Sequence, residues 1–429
     1  MNITQIYNCF LECKSVTTDT RKITKNSMFF SLKGENFNGN TFALEAIEQG
    51  SKYAIVDEKK YAINDNIILV DDVLKTLQEL ATYHRTQLGI PIIALTGSNG
   101  KTTTKELINA VLSQQYNTTA TLGNLNNHIG VPLTLLSMNN QTEIGIVEMG
   151  ANHPKEIAFL SSIALPDYGL ITNFGKAHLE GFGSIEGVVK AKSELYDHLK
   201  QHNKTIFVNE DDVKQVNQIG SYTNTIKFGT TSDLLKIEFI GAQPNVEVKL
   251  KDTIITSNLT GKYNFSNIAY AIAIGTYFKI ENKNIKKAIE NYFPKNNRSQ
   301  VINVDSNEII LDAYNANPTS MMAALENFLQ YKRDNKVLFL GDMFELGSTA
   351  HNEHQNIVNF IEDNFNANTY LIGENFYSTQ LKNNDGFIKK FRNFNDLAIH
   401  FDTLTFKDKL MLIKGSRGMA LERILDLIK

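Results

Sequence analysis

The chain has 429 residues, of which 42% are apolar and 21% are charged, and its formal net charge is -3 at pH 7. That length suits two to three domains, and the lack of a basic excess argues against sequence-independent nucleic-acid binding. No stretch reaches the roughly 18 apolar residues of a membrane span, and the N-terminus lacks the features of a signal peptide. Cys9 and Cys13 are too few for a disulfide framework or a four-ligand zinc site. We therefore expect a cytoplasmic protein without a nucleic-acid or membrane partner.

Residues 1–86 are predicted to form a small α/β domain. Short apolar runs are typical of strands, which we expect at residues 28–32, 53–56 and 67–70. Residues 42–49 favour a helix that ends at Gly50. A further helix over 72–84 leads to a hinge at 88–91.

Residues 87–295 are predicted to form the central domain. A buried strand over 91–96 is followed by a glycine turn and by a helix over 101–113. Further strands are expected at 144–147 and 168–172, so strands and helices alternate, as in a mostly parallel sheet. The alternating pattern of residues 235–260 indicates an antiparallel β appendage.

Residues 296–429 are predicted to form a third, doubly wound domain whose strand-end loops carry function. Its strands are expected at 309–311, 337–340, 370–372 and 410–413. The last predicted helix runs over 418–428.

The sequence TGSNGKTTTKEL at residues 96–107 is the strongest local signal, because it follows a strand and opens a helix. Gly97 and Gly100 allow backbone N–H groups to turn around a phosphate, together with Ser98, Asn99 and Thr103 of the same loop. Lys101 suits the β- and γ-phosphates of ATP, and the Thr102 hydroxyl suits Mg²⁺. The fold predicted for the chain is therefore α/β with three domains: a small N-terminal α/β domain, a central P-loop ATPase-type parallel sheet and a C-terminal Rossmann-like domain.

This loop is similar to that of the Mur ligases, and so are later segments in the same order. They are GNLNNHIGVP at 123–132, VEMGAN at 147–152, TNFGKAHLE at 172–180, KAKSE at 190–194, DAYNANP at 312–318, GDMFELG at 341–347 and KGSRGM at 414–419. Within the family, the resemblance points to the branch that adds D-alanyl-D-alanine to UDP-N-acetylmuramoyl-tripeptide. The tripeptide-forming branch usually has DYAH-type and KGHE-type segments where this chain has DAYNANP and KGSRGM.

The resemblance implies that a substrate carboxylate attacks the γ-phosphate of ATP to give an acyl phosphate, which the incoming amine then attacks. Such chemistry depends on positioning and on neutralising phosphoryl charge. Lys101, Glu148, His178 and Lys192 are the implied catalytic residues. Thr102, Glu148, His178 and Lys192 are the implied holders of Mg²⁺, with Lys192 carbamylated by CO₂ so that it offers an anionic oxygen.

The family also implies contacts for nucleotide and substrates. The segment GKYNFSN at 261–267 resembles the one near adenine, although the family often has His at the position of Tyr263. Nucleotide contacts are implied for Asn264, Asn267, Arg298, Asp312 and Asn315. Substrate contacts are implied for Asp19, Arg21, Lys33, Asn126, Tyr314, Asn317, Lys414, Ser416 and Arg417. Taken alone, Asn264 is equally typical of a helix N-cap.

Three alternatives stay open from the sequence: another ligase of the superfamily (a tripeptide-forming or folylpolyglutamate-type enzyme), a P-loop ATPase that couples hydrolysis to motion, and a non-catalytic nucleotide-binding module. DAYNANP and KGSRGM argue against the first, and the presence of Lys101, Glu148 and His178 argues against the last. We expect a monomeric enzyme of peptidoglycan synthesis, with lysine and diaminopimelate both open as the third peptide residue.

Overall fold

The computed structural model describes residues 1–383, 386–401 and 406–428. Lys429, the predicted end of the third domain, lies outside the described residues. Three main sheets follow one another along the chain, with helices between their strands, and this confirms the predicted three-domain α/β fold.

The N-terminal part contains a four-stranded parallel sheet of order β1-β2-β5-β6 and a separate β3-β4 hairpin. The strands are β1 (Ser15–Thr17), β2 (Ser27–Phe30), β3 (Lys33–Gly34), β4 (Phe37–Asn38), β5 (Tyr53–Val56) and β6 (Ile67–Leu69). The helices are α1 (Ile3–Leu11), α2 (Ala43–Glu48) and α3 (Val73–Leu88). All of β2 is buried, which accounts for its continuous apolar run. The three predicted strands are confirmed, whereas β1 and the hairpin are too short to have given a pattern.

The central part contains a six-stranded parallel sheet of order β12-β11-β10-β7-β9-β8. Its strands are β7 (Ile92–Thr96), β8 (Thr118–Ala120), β9 (Ile144–Glu148), β10 (Tyr168–Ile171), β11 (Thr205–Asn209) and β12 (Thr225–Phe228). Its helices are α4 (Lys101–Leu112), α5 (Gly130–Leu136), α6 (Glu156–Ala164), α7 (Leu179–Phe182), α8 (Ile185–Gln201) and α9 (Val213–Ile219). Strands β8 and β9 lie on one side of β7 and β10 to β12 on the other. The carboxyl end of β7 is therefore the switch point where open α/β sheets bind ligands.

The predicted antiparallel appendage is confirmed as a three-stranded sheet of order β13-β14-β15, followed by two helices. These elements are β13 (Ile237–Gly241), β14 (Glu247–Leu250), β15 (Thr253–Thr256), α10 (Asn264–Tyr277) and α11 (Asn282–Glu290). Apolar side chains of α10 and of the appendage share one core with α4, so the appendage supports the helix that follows the glycine turn.

The C-terminal part has a six-stranded sheet of order β16-β17-β21-β18-β19-β20, in which β16 alone is antiparallel to its neighbour. Its strands are β16 (Gln300–Val304), β17 (Asn307–Asp312), β18 (Lys336–Gly341), β19 (Asn368–Ile372), β20 (Ile388–Phe391) and β21 (Leu410–Lys414). Its helices are α12 (Pro318–Gln330), α13 (Ala350–Asn364), α14 (Glu374–Tyr377), α15 (Phe394–Phe401) and α16 (Ile424–Leu427). Strand β21 returns between β17 and β18, which creates a second switch point at their carboxyl ends.

The continuous helix predicted over 418–428 is wrong. Residues Arg417–Met419 and Leu421–Arg423 form short 3₁₀ turns before the four residues of α16. Ala420 between them has φ +46°, a left-handed conformation that interrupts a right-handed helix.

Within the part of the chain that the structure describes, no helix combines the length and the apolar character needed to cross a lipid bilayer.

Candidate active site

The turn between β7 and α4 is built so that only glycine fits at two positions. Gly97 and Gly100 have φ of +145° and +78°, where a side chain is strained. A Cβ on Gly97 would lie 2.0 Å from Thr172 Oγ1, and one on Gly100 would lie 2.4 Å from Asn267 Oδ1. Helix α4 then begins without a side-chain cap, so its N-terminus suits an anion such as phosphate.

Lys101, the first residue of α4, folds back over this turn. Its Nζ donates to the carbonyl of Gly97 at 2.7 Å and to that of Ser98 at 3.3 Å. Burial lowers the pKa of the Lys101 ammonium, while the Glu148 carboxylate opposes this shift and Arg298 adds to it. The cation therefore stands at the position predicted for phosphate binding.

Thr102 and Glu148 form one buried cluster of hard oxygen atoms beside the turn. The Thr102 hydroxyl donates to Glu148 Oε2 at 2.8 Å, and Asn126 Nδ2 donates to Glu148 Oε1 at 2.8 Å. Glu148 ends β9 and is only 1% exposed. Carboxylate and hydroxyl oxygens are donors that Mg²⁺ prefers, so the geometry brings together two of the four predicted metal residues.

The loop after β10 holds the glycine turn in place. The Asn99 carbonyl accepts from Thr172 Oγ1 at 2.5 Å and from Asn173 Nδ2 at 3.0 Å. Ser98 Oγ exchanges hydrogen bonds of 3.0 Å with the backbone of Gly175. Thr172 and Asn173 lie in the segment TNFGKAHLE, yet sequence reasoning gave them no role, because the pattern does not show which loop they contact.

Asn264 and Asn267 line the cavity described below, but their amides are used within the protein. Asn267 Oδ1 accepts from Thr104 Oγ1 at 3.0 Å, and Asn267 Nδ2 donates to Asn264 Oδ1 at 2.8 Å. Asn264 Nδ2 donates to the Thr260 carbonyl at 2.8 Å. Asn264 is the first residue of α10 and not its N-cap. The interpretation of Asn264 as a helix N-cap is therefore wrong. Asn267 thus braces the P-loop helix directly and Asn264 braces it through Asn267. Nucleotide contacts of both residues stay predictions.

His178 is paired with a carboxylate from the C-terminal part. Its Nδ1 lies 2.5 Å from Glu345 Oε2, and the imidazole lowers the pKa of the Glu345 carboxyl. Both residues have positive φ, +52° for His178 and +61° for Glu345. The Glu180 N–H also donates to the Glu345 carbonyl at 3.2 Å. Glu345 is a site residue that sequence reasoning missed, although it lies within GDMFELG.

Lys192 on α8 is fully buried and does not line the cavity. Its Nζ donates to the Ala151 carbonyl at 3.0 Å and stands 5.1 Å from the centre of the Phe182 ring. Burial, with Lys101 adding to it, holds the pKa of the Lys192 amine well below its ordinary value. Such burial is uncommon for a helical lysine and favours its neutral form.

At the carboxyl ends of β17 and β21, Asp312 and Lys414 form a close pair. Lys414 Nζ donates to Asp312 Oδ2 at 2.5 Å and to the Asn315 carbonyl at 3.3 Å. The other Asp312 oxygen accepts from the Ser299 N–H at 3.0 Å. Ser416 Oγ accepts from the Phe344 N–H at 2.9 Å. These contacts fix the loops on the C-terminal side of the cavity.

Two arginines contact the ring of Tyr314. The Arg298 guanidinium carbon stands 3.6 Å from the centre of the Tyr314 ring and that of Arg417 stands 5.3 Å from it. Both distances are within the range of cation–π attraction. The two cations are thus held on one aromatic ring, and both line the cavity.

Asn317 links the C-terminal part to the glycine turn. It caps α12 through a capping box with Ser320, and its Nδ2 donates to Asn99 Oδ1 at 2.7 Å. Next to it, the Lys176 N–H donates to Thr319 Oγ1 at 2.9 Å. The predicted strand-end loop therefore faces the central part, as expected.

One cavity of about 1010 Å³ lies between these elements. The predicted site residues that line it are Ser98, Asn99, Gly100, Lys101, Thr102, Thr103, Asn126, Glu148, His178, Asn264, Asn267, Arg298, Asp312, Tyr314, Asn315, Asn317, Lys414, Ser416 and Arg417. Cations from two parts of the chain therefore face a single space, an arrangement suited to a polyanion.

Three predicted substrate residues of the N-terminal part do not line this cavity. Arg21 is bound to Asp19, with nitrogen–oxygen distances of 2.9 Å, and Lys33 lies 2.8 Å from Asp57 Oδ1. Their roles stay predictions. The N-terminal part nevertheless reaches the cavity wall, since Gln78 of α3 donates to the carbonyl of His128, a lining residue, at 3.0 Å.

Comparison with known families covers most of the chain. The Mur ligase middle domain matches residues 95–275, the Mur ligase glutamate ligase domain matches 297–417, and the Mur ligase family catalytic domain matches 12–85. The chain belongs to the Mur ligase family. The resemblance drawn from the motifs is confirmed.

Individual Mur ligases resemble the chain over nearly its full length. The UDP-N-acetylmuramoyl-tripeptide--D-alanyl-D-alanine ligase of Bacillus subtilis (strain 168) is 37% identical over 96% of this chain and 93% of that protein. A crystal structure of MurF from Acinetobacter baumannii has a TM-score of 0.86 and 29% identity, covering 100% of this chain and 98% of the other. MurF ligase from Thermotoga maritima in complex with ADP has a TM-score of 0.83 and 25% identity, covering 98% and 97%.

Proposed function

We propose that this Mur ligase joins D-alanyl-D-alanine to UDP-N-acetylmuramoyl-tripeptide with conversion of ATP to ADP and phosphate. The observation that carries the proposal is the single cavity in which Lys101, Thr102 and Glu148 of the central part face Arg298 and Arg417. Full-length relatives that bear this activity in their names support it. So does the solved relative with bound ADP.

The reaction requires two anions to meet. The tripeptide carboxylate attacks the γ-phosphorus of ATP, so that a carbon-bound oxygen joins phosphorus and the bond to ADP breaks. The dipeptide amine then attacks the acyl carbon, the carbon–oxygen bond to phosphate breaks, and the proton of the new amide nitrogen passes to solvent as phosphate leaves. Lys101 and Arg298 neutralise phosphoryl oxygens in both steps, and Arg417 with Lys414 suits the dipeptide carboxylate.

Thr102 and Glu148 fit a magnesium ion that accompanies the nucleotide. Their oxygens are 2.8 Å apart, buried and adjacent to Lys101. Among the described residues, no group of three or more His, Cys, Asp or Glu side chains is arranged to hold a metal, so phosphates and water would supply the remaining ligands. The ion would supply charge neutralisation. His178 and Lys192 are further proposed holders of metal.

Carbamylation of Lys192 is proposed on the strength of its burial and lowered pKa. A neutral amine is the form that adds to CO₂: the nitrogen bonds to the carbon of CO₂ and releases one proton to solvent. The product is a carbamate with an anionic oxygen. Replacing Lys192 with Ala is expected to reduce turnover by at least about tenfold while leaving the circular dichroism spectrum unchanged. Unchanged turnover would remove Lys192 from the mechanism.

The activity is tested by offering the protein ATP, Mg²⁺, D-alanyl-D-alanine and UDP-tripeptides ending in lysine or in diaminopimelate. The expected product is the pentapeptide, detected by mass, with one tripeptide preferred. Phosphate release that ignores both acceptors would favour an ATPase that couples hydrolysis to motion. Ligation of a single amino acid instead of the dipeptide would favour another ligase of the superfamily.

Size-exclusion chromatography with light scattering tests the proposed monomeric state. The monomer's mass of 48.2 kDa is the expected value.

A further inference from the structure

Lys105 is a buried cation that the ligation chemistry does not use. It lies on α4 three residues after Thr102, and it is fully buried. An ammonium group is costly to bury unless it is paired and hydrogen-bonded. Its partners therefore indicate what this side chain does.

Lys105 ties the P-loop helix to the loop that follows β8. Its Nζ donates to the Thr121 carbonyl at 2.5 Å and lies 2.8 Å from Glu106 Oε1. Thr121 starts the stretch of chain that carries Asn126 into the cavity. The cation thus anchors the beginning of that loop on α4.

Thr121 in turn holds the end of β9. Its hydroxyl accepts from the backbone N–H of Glu148 at 3.0 Å, and its own N–H donates to the Ile146 carbonyl at 2.9 Å. Thr121 is only 1% exposed, so these bonds are shielded from water. The residue that Lys105 binds is therefore the residue that fixes the backbone of Glu148.

The carboxylate of Glu148 is bound from the same two elements. Thr102 approaches it from α4 and Asn126 from the loop, each at 2.8 Å. Residues three apart on a helix lie on neighbouring parts of one face, so Thr102 and Lys105 act on Glu148 from one side of α4. A shift of the loop against α4 would separate these groups.

We propose that Lys105 is a positioning residue that sets the Mg²⁺-dependent affinity for nucleotide by holding Thr121, Asn126 and Glu148 against the P-loop helix. This role rests on the proposed magnesium site at Thr102 and Glu148. Supporting groups behind metal ligands typically contribute about tenfold to a hundredfold in metal affinity.

The test is calorimetric titration of the full chain with ADP, with and without Mg²⁺. The ratio of the two dissociation constants measures the magnesium enhancement. In Lys105→Met, we expect this enhancement to fall by at least about tenfold, with the magnesium-free affinity close to that of the wild type. Thr121→Val removes no charge and is expected to cause the same kind of loss.

Lys286→Met is the matched control. Lys286 Nζ also binds one carbonyl, that of Ile254 at 2.7 Å, and one glutamate, Glu290 at 2.5 Å. Neither Lys286 nor its partners line the cavity. The magnesium enhancement of Lys286→Met is expected to equal that of the wild type.

A wild-type enhancement in Lys105→Met would overturn the positioning role, whatever the result for Thr121→Val. An equal loss of affinity with and without Mg²⁺ would also overturn it, because that result indicates general damage to the P-loop. If Lys105→Met does not fold, Lys105→Gln takes its place, because it removes the charge but keeps a hydrogen-bond donor. Thr121→Val cannot stand in for it, since it leaves the carbonyl that Lys105 binds intact. No enhancement in the wild-type protein would instead contradict the magnesium site itself, and with it this role.

Discussion

The N-terminal and C-terminal parts of the chain meet the central part in opposite ways. Leu77, Leu80 and Ala81 of α3 belong to one apolar core that also contains Leu135 and Leu160 of the central part. The apolar cores of the C-terminal part contain none of the described residues of the other two parts.

The contacts that the structure gives across the junction to the C-terminal part are hydrogen bonds and ion pairs, several of them at the cavity. They include Asn317 with Asn99, Lys176 with Glu353, and Glu345 with His178. A shared apolar core resists separation, whereas polar contacts exchange with water at little net cost. From this difference we expect that the C-terminal part moves during catalysis and that the N-terminal part stays with the central one.

The largest expected effect is domain closure. Small-angle scattering with a non-hydrolysable ATP analogue and UDP-substrate together is expected to show compaction, because the ligands neutralise the facing cations and bridge the cavity. Distances between labels on the N-terminal and central parts are expected to stay constant. A constant radius of gyration with both ligands bound would contradict this prediction.

The apolar junction is tested by Leu80→Ala. Leu80 is fully buried in the shared core, so the substitution is expected to lower the free energy of unfolding by about 2–5 kcal/mol. Urea denaturation should show the N-terminal and central parts unfolding in one transition. Leu325→Ala, in a core of the C-terminal part, is the control and is expected to shift a separate transition. Unfolding of the N-terminal part alone in Leu80→Ala would contradict the conclusion that it shares one core with the central part.

A smaller effect is expected from pH at the same junction. His84 Nε2 lies 2.9 Å from the Met138 carbonyl, and burial lowers the pKa of His84. The unfolded chain therefore binds a proton at His84 more readily than the folded chain does. The contribution of neutral His84 to the free energy of unfolding is complete above about pH 6.5 and is lost as the pH falls through the lowered pKa of the folded state.

In His84→Gln, the part of the pH dependence of the free energy of unfolding that comes from His84 should be absent. Urea denaturation across this pH range measures it. His202→Gln, at an exposed position, is the control and should retain it. An identical pH profile for wild type and His84→Gln would show that His84 does not contribute.

The smallest effect is expected at the polar junction. Lys176 Nζ lies 2.6 Å from Glu353 Oε1, with 40% of the lysine side chain exposed, so Lys176→Met should change the free energy of unfolding by only about 0–1 kcal/mol. The ligand concentration for half-maximal compaction should shift by less than about tenfold. A loss of several kcal/mol would mean that this junction is as firmly packed as the other.

The parts of the candidate site that lie within one contiguous segment could be predicted from the sequence. Local patterns predicted the P-loop, the strand that ends near Glu148 and the turn at Asn317, because strand, turn and helix preferences act over neighbouring residues. The site roles of Glu148 and Asn317 were implied by the resemblance to the Mur ligases. Asn264 shows the limit of this reasoning. Its residue type suits a cap, but the packing of α10 against α4 places it inside the helix and directs its amide to Thr260.

Sequence alone determined the family, the order of strands and helices in most of the chain, and many of the residues that line the cavity. Only the tertiary structure decided that Glu345 meets His178, that Lys192 lies buried away from the cavity surface, and that Lys105 reaches Thr121. The reason is physical: local propensities depend on nearby residues, whereas burial and the choice of partner depend on how segments distant along the chain pack together.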